Sequence, residues 1–83
     1  MRMTSQRLNP SHHLLNWILQ RGQQSLAVQL SRAGKGYKVR VSSPGQKTNL
    51  YAESCERGPN ALRLHAELVN GFRDAGWRSV AYR

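Results

Sequence analysis

Lys38 and Arg40 are separated by one residue, and nothing acidic occurs anywhere from Met1 to Ala52. On an extended segment both side chains leave the same face roughly 6–7 Å apart, a repeat suited to successive phosphates of a polyanion. Arg32, Lys35 and Lys47 fall in the turns at the ends of that segment. Tyr51 could add a stacking surface beside the cations if Leu50 points inward. These six residues, Arg32, Lys35, Lys38, Arg40, Lys47 and Tyr51, are the candidate site for nucleic acid or for an acidic protein surface. The alternative is an ordinary solvated sheet face, on which Lys and Arg guard against edge aggregation.

Other reactive residue types do not assemble. Gly34-Lys35-Gly36 lacks the full phosphate-loop pattern and a following helix, so it reads as a hairpin turn. His12 and His13 are adjacent, and on a helix neighbouring side chains diverge by about 100°, which does not suit two ligands to one ion. His65 lies alone on an apolar stripe, where a hydrogen-bonded core histidine is expected. Cys55 is the single cysteine, so a disulfide framework or a cysteine-rich zinc site is not expected. Glu53, Glu56, Glu67 and Asp74 show no paired-carboxylate spacing. No catalytic residue, metal or cofactor is assigned, and an enzyme is not expected.

The charge balance supports a polyanion partner. The 83-residue chain has 13 Lys+Arg against 4 Asp+Glu, a formal charge of +9. Eight of the bases precede Glu53 with no acid among them, whereas the remainder carries five bases and all four acids. A one-sign field over more than half of a small chain favours a negatively charged partner. Apolar residues make up 39%, enough for one modest core, and their runs are too short for a transmembrane helix. The basic N-terminus has no apolar stretch behind it, so no secretory signal is expected and a cytoplasmic setting is.

The elements needed to position these residues follow from the hydrophobic pattern. Residues 1–8 read as a flexible basic tail, and residues 9–83 as a single small α+β domain. Asn9-Pro10-Ser11 resembles a helix start, Leu14, Leu15, Ile18 and Leu19 share a broad face, and Gly22 suits a C-cap. A first helix ending at Arg21 is therefore expected, with Arg21 at the negative end of its dipole. Leu26, Val28 and Leu30 then alternate with polar or small residues, as do Tyr37, Val39 and Val41. These are two strands joined by the glycine-rich turn, the second closed by Ser43-Pro44-Gly45-Gln46. A third strand, Thr48 to Ser54, leaves open whether Leu50 and Ala52 or Tyr51 and Cys55 face inward.

A second helix runs to about Ala75, with Ala61, Leu62, Leu64, Leu68, Val69, Phe72 and Ala75 on one stripe. Gly76 ends it, and Trp77 to Tyr82 form a short last strand. Trp17 and Trp77 are expected at the core edge. The expected architecture is α-β-β-β-α-β: helix, three-stranded antiparallel meander, helix and short strand, both helices on one face. The inner face would be covered by Leu14, Leu15, Ile18, Leu68 and Phe72, leaving Gln29, Lys38, Arg40 and Ser42 outside.

From about Asn9 to Ala75 this order is similar to the double-stranded-RNA-binding domain, which is also basic. That family's lysine run at the start of its second helix falls here on Cys55-Glu56-Arg57-Gly58-Pro59-Asn60-Ala61, where only Arg57 is available. Small ribonuclease toxins of the same topology carry a catalytic histidine on the sheet, and the expected sheet has none. The Tyr37-to-Phe72 segment loosely resembles the strand–strand–helix arm-site binders of phage integrases, without a diagnostic motif. No family is assigned. The expected function is phosphate-directed nucleic-acid binding with limited sequence discrimination. The alternative is a small protein–protein interaction module, such as a mobile-element regulator, docking on an acidic surface.

Overall fold

Period-2 burial organises most of the chain into one sheet. The computed structural model describes residues 13–44 and 49–82. In order these form β1 (His13–Arg21), β2 (Gln24–Ala33), β3 (Gly36–Ser42), β4 (Asn49–Cys55), α1 (Gly58–Asp74) and β5 (Arg78–Tyr82). The strands make a five-stranded sheet in the order β4-β3-β2-β1-β5, and every neighbouring pair is antiparallel. The α+β class matches the sequence reading, but in place of a three-stranded meander between two helices there is a five-stranded antiparallel sheet with one helix.

The expected first helix is a strand over its described part. Leu15, Trp17 and Leu19 pair with Leu30, Val28 and Leu26 of β2, so they satisfy the alternating pattern as well as the helical one. Gly22 explains the ambiguity. Its φ of +62° would serve a helix C-cap, but here it opens a two-residue hairpin between the paired Arg21 and Gln24. Asn9, Pro10 and Ser11, which carried the helix-start signal, lie outside the described residues, as does the expected tail of residues 1–8. With a strand in place of the first helix, the likeness to the double-stranded-RNA-binding order ends. Among the described residues only α1 covers the sheet, and Leu14 (50% exposed) is not part of the cover. Ile18 is paired with Ala27, which places it on the face away from α1.

The core lies between α1 and one face of the sheet. Leu19, Leu26, Val28, Val41 and Val69 form one cluster, flanked by Trp17, Leu68, Phe72 and Trp77. Leu30, Val39 and Ala61 form the other, flanked by Leu15, Tyr37, Cys55, Leu64 and Leu68. Both tryptophans therefore sit at the core edge. The helix stripe is as expected except at Leu62, which is 52% exposed, and Ala75, which lies at the C-cap. His65 fills the buried centre of the stripe, 3% exposed, with Nε2 3.0 Å from the Val28 carbonyl oxygen. As a donor to that oxygen it pins the middle of α1 to the central strand.

The ends of α1 are tied separately. Pro59 lies in the first turn, after an N-cap residue, Arg57, with extended backbone. At the other end Trp77 N–H reaches the Phe72 carbonyl and Gly76 N–H the Arg73 carbonyl, both at 3.0 Å, a Schellman closure. Arg21 does sit at a helix C-terminus, but that of α1. Its Nη1 donates to the Ala75 carbonyl at 3.1 Å, and its guanidinium lies 5.0 Å from the Trp77 ring centroid. Gly36 meets a steric demand: a Cβ there would come within 2.6 Å of the Cys55 carbonyl oxygen.

Two outcomes follow from this packing. Val39 is fully buried, and an unpaired charge there costs several kcal/mol against a total stability of roughly 5–15 kcal/mol. Val39→Asp should therefore abolish folding, read as collapse of amide dispersion in the NMR spectrum. For His65, desolvation lowers the imidazole pKa below its ordinary 6.5, opposed by the Val28 hydrogen bond. The unfolded chain then takes up the proton more readily, so stability is complete above pH 6.5 and falls as the pH drops below it. Thermal melts across that range should show the loss in the parent and a reduced loss in His65→Gln.

Candidate nucleic-acid interface

The face of the sheet away from α1 is assigned by register. Lys38 and Arg40 lie between Ser31 and Gln29 of β2 on one side and Ser54 and Ala52 of β4 on the other. Beyond Gln29 comes Asn16 of β1, so Asn16, Gln29, Arg40 and Ala52 form one row across four strands. The next row contains Ile18, Ala27 and Ser42, with Ala81 of β5 beside Ile18. Gln29, Lys38, Arg40 and Ser42 are thus placed on the expected face.

The other candidates separate from this pair. Arg32 and Tyr37 are paired at the ends of their strands, and the Arg32 guanidinium lies 5.7 Å from the Tyr37 ring centroid. That is the α1 side, because Tyr37 packs against the Leu30–Val39–Ala61 cluster. Tyr51 pairs with Val41 and Glu53 with Val39, which puts them on the α1 side too. The Tyr51 hydroxyl donates to Glu53 Oε1 at 2.6 Å, and this bond, more than desolvation, raises the phenol above its ordinary pKa of 10.0. Tyr51 is therefore not a stacking platform beside Lys38 and Arg40. The choice turns on Leu50, which is the extra residue where the β3–β4 register shifts between Val41 and Ser42. Leu50 is 62% exposed and fixes no inward face. Lys35 is exposed in the β2–β3 turn, and Lys47 lies outside the described residues.

The open face contains polar atoms that nothing in the described chain satisfies. Asn16 Oδ1, Ser31 Oγ and Arg40 Nε are buried and without hydrogen-bond partners, and all three belong to β1–β3 on this face. Ser31 is only 8% exposed and neighbouring Ala27 4%. Small side chains on the central strand form a floor between longer ones. A buried polar group without a partner costs about 1–3 kcal/mol, and these three atoms lie beneath the surface formed by the longer side chains of this face. Asn16 and Ser31 were not among the sequence candidates. Ser31 reads only as an alternating position of its strand, and the polarity of Asn16 shows no pattern until β1 is known to be a strand beside β2.

Acidic residues are kept off this surface. Among the described residues Glu53 lies on the α1 side, Glu56 in the loop before α1 and Glu67 and Asp74 on α1. The cleft between β4 and α1, about 500 Å³, is lined by Glu53, Glu56 and Glu67 as well as Arg57 and Arg63, a mixed lining that does not favour a polyanion. Arg78, missed in the sequence, pairs with Gln20 at the β5 edge of the open face, roughly 20 Å from Arg40 by strand spacing. No helix among the described residues is long and apolar enough to cross a membrane. Nor do the described residues contain a group of three or more His, Cys, Asp or Glu able to hold a metal ion. Comparison with protein-family models, with curated proteins and with solved structures finds no match.

Proposed function

We propose that the protein binds nucleic acid through the open sheet face, directed mainly at phosphates and with limited sequence discrimination. The observation that carries this reading is the placement of Lys38 and Arg40 on one sheet face, away from α1, with none of the four acids on it. Arg40 and Lys38 supply the charge. Asn16 offers an amide to a sugar hydroxyl or base edge. Half-burial of Lys38 and Arg40 restricts their side chains before binding, which reduces the ordering cost at a charged contact. RNA and DNA share the phosphate chemistry on which the reading depends.

Titration of the full chain with labelled oligonucleotides at several salt concentrations tests this. Each neutralised phosphate contributes a log–log slope of about −0.9 on duplex DNA and about −0.7 on single strands. Lys38→Gln with Arg40→Gln should therefore flatten the slope by about 1.4–1.8 and weaken different sequences alike. Arg32→Gln, Arg63→Gln and Arg73→Gln, away from the open face, should change little. A larger effect from those three places the contact on the α1 side. Absence of binding at low salt overturns the reading and leaves an acidic protein surface as the occupant of the face.

A further inference from the structure

The sheet has two described edges, and they are defended unequally. β5 has only five residues, begins with Arg78, and is interrupted at Val80, where its register with β1 shifts. Short length, a cation and a bulge are devices that blunt an edge. β4 has seven residues, six of them exposed; it too carries a bulge, at Leu50, and a charge, Glu53, but Tyr51 to Cys55 pair with β3 without interruption and include neither a lysine nor a proline. Among the described residues no strand pairs with its outer edge, which is the geometry that accepts a further strand.

We infer that β4 is a self-association edge, at which two copies pair antiparallel about a two-fold axis at Ala52 to form a continuous ten-stranded sheet. Charge selects a second copy as the occupant. Two chains of +9 repel each other over most of their surface, but β4 carries one acid and no base. The adjoining cleft holds Glu53, Glu56 and Glu67 opposite Arg57 and Arg63, a mixed patch that a two-fold axis makes self-complementary.

The same choice sets the register. Opposed residues of an antiparallel pair share a face, so a two-fold axis can pass only beside one residue, with its neighbours opposed in turn. Centring on Glu53 would place two carboxylates in opposition. Centring on Ala52 sets each Tyr51 opposite the partner's Glu53, and Tyr51 already donates to its own Glu53 at 2.6 Å. Each hydroxyl has one hydrogen, so a bond to the partner's Glu53 takes the place of the one within its own chain. Helices then lie on one side of the joined sheet and both open faces on the other. This interface uses none of Asn16, Ser31, Lys38 or Arg40 and stands independently of the nucleic-acid reading.

Sedimentation equilibrium of the full chain without nucleic acid tests the inference. The parent should show a concentration-dependent mass rising from 9.4 kDa toward twice that value. Glu53→Lys should weaken the association at least about tenfold while keeping the parent's circular dichroism and melting curve, because Glu53 is exposed. In a Cys55→Ser background, Ala52→Cys should form an intermolecular disulfide under mild oxidation, since residues at the axis fall within the roughly 4.4–6.8 Å Cα range of such bonds. Ser54→Cys should not, because the two copies of that position lie about 14 Å apart along the strands. A parent that stays at the chain mass up to millimolar concentration overturns the proposal. So does a dimer that ignores Glu53→Lys, or one that cross-links through Ser54→Cys rather than Ala52→Cys.

Discussion

A single helix can cover only one face of a five-stranded sheet, and the rest of the molecule follows from that constraint. The 17 residues of α1 span about 25 Å at 1.5 Å per residue. That is enough to bury Leu19, Val28, Leu30 and Val39 to below 2% exposure, but α1 reaches only one of the two faces. β2 and β3 therefore alternate, apolar toward α1 and polar or small away from it. Asn16, Gln29, Ser31, Lys38 and Arg40 occupy the second set of positions because the first set is taken by the core. The candidate interface is the complement of the core, residue by residue.

Where local chemistry decides the structure, the sequence could be read. The turn at Gly34, the alternation of Leu26/Val28/Leu30 with Tyr37/Val39/Val41, and the stripe and glycine stop of α1 each depend on neighbours within a few positions. β1 depends on something else. Leu14, Leu15, Ile18 and Leu19 fit a helical face as well as Leu15, Trp17 and Leu19 fit a strand. Pairing with β2 and β5 decides between them, and β5 is far away in the chain. Tertiary context overrides the local pattern in such segments.

The candidate site was legible only in part for the same reason. The Lys38–Arg40 spacing holds because their strand was identified correctly, and their placement opposite the core follows from alternation alone. Arg32 and Tyr51 were grouped with them by nearness in sequence, yet a one-position difference in parity puts each on the far side of the sheet. For Tyr51 the parity was hidden by the extra residue at Leu50, which no periodicity could show in advance. The two sides are chemically distinct: Tyr51 is bonded to a carboxylate, and Arg32 lies over the Tyr37 ring.

The pairing of Trp17 with Tyr82 has a consequence for synthesis. The β1–β2 and β2–β3 hairpins close over two-residue turns and need no distant partner, so they can form while the chain is still emerging. β1 cannot complete its second ladder until the strand after α1 has been made, a closure across nearly the whole described chain. During that interval the nascent sheet carries an unpaired edge next to Leu19 and Trp17, before the core has its full cover. A chain halted between α1 and β5 keeps that edge of β1 open to other strands.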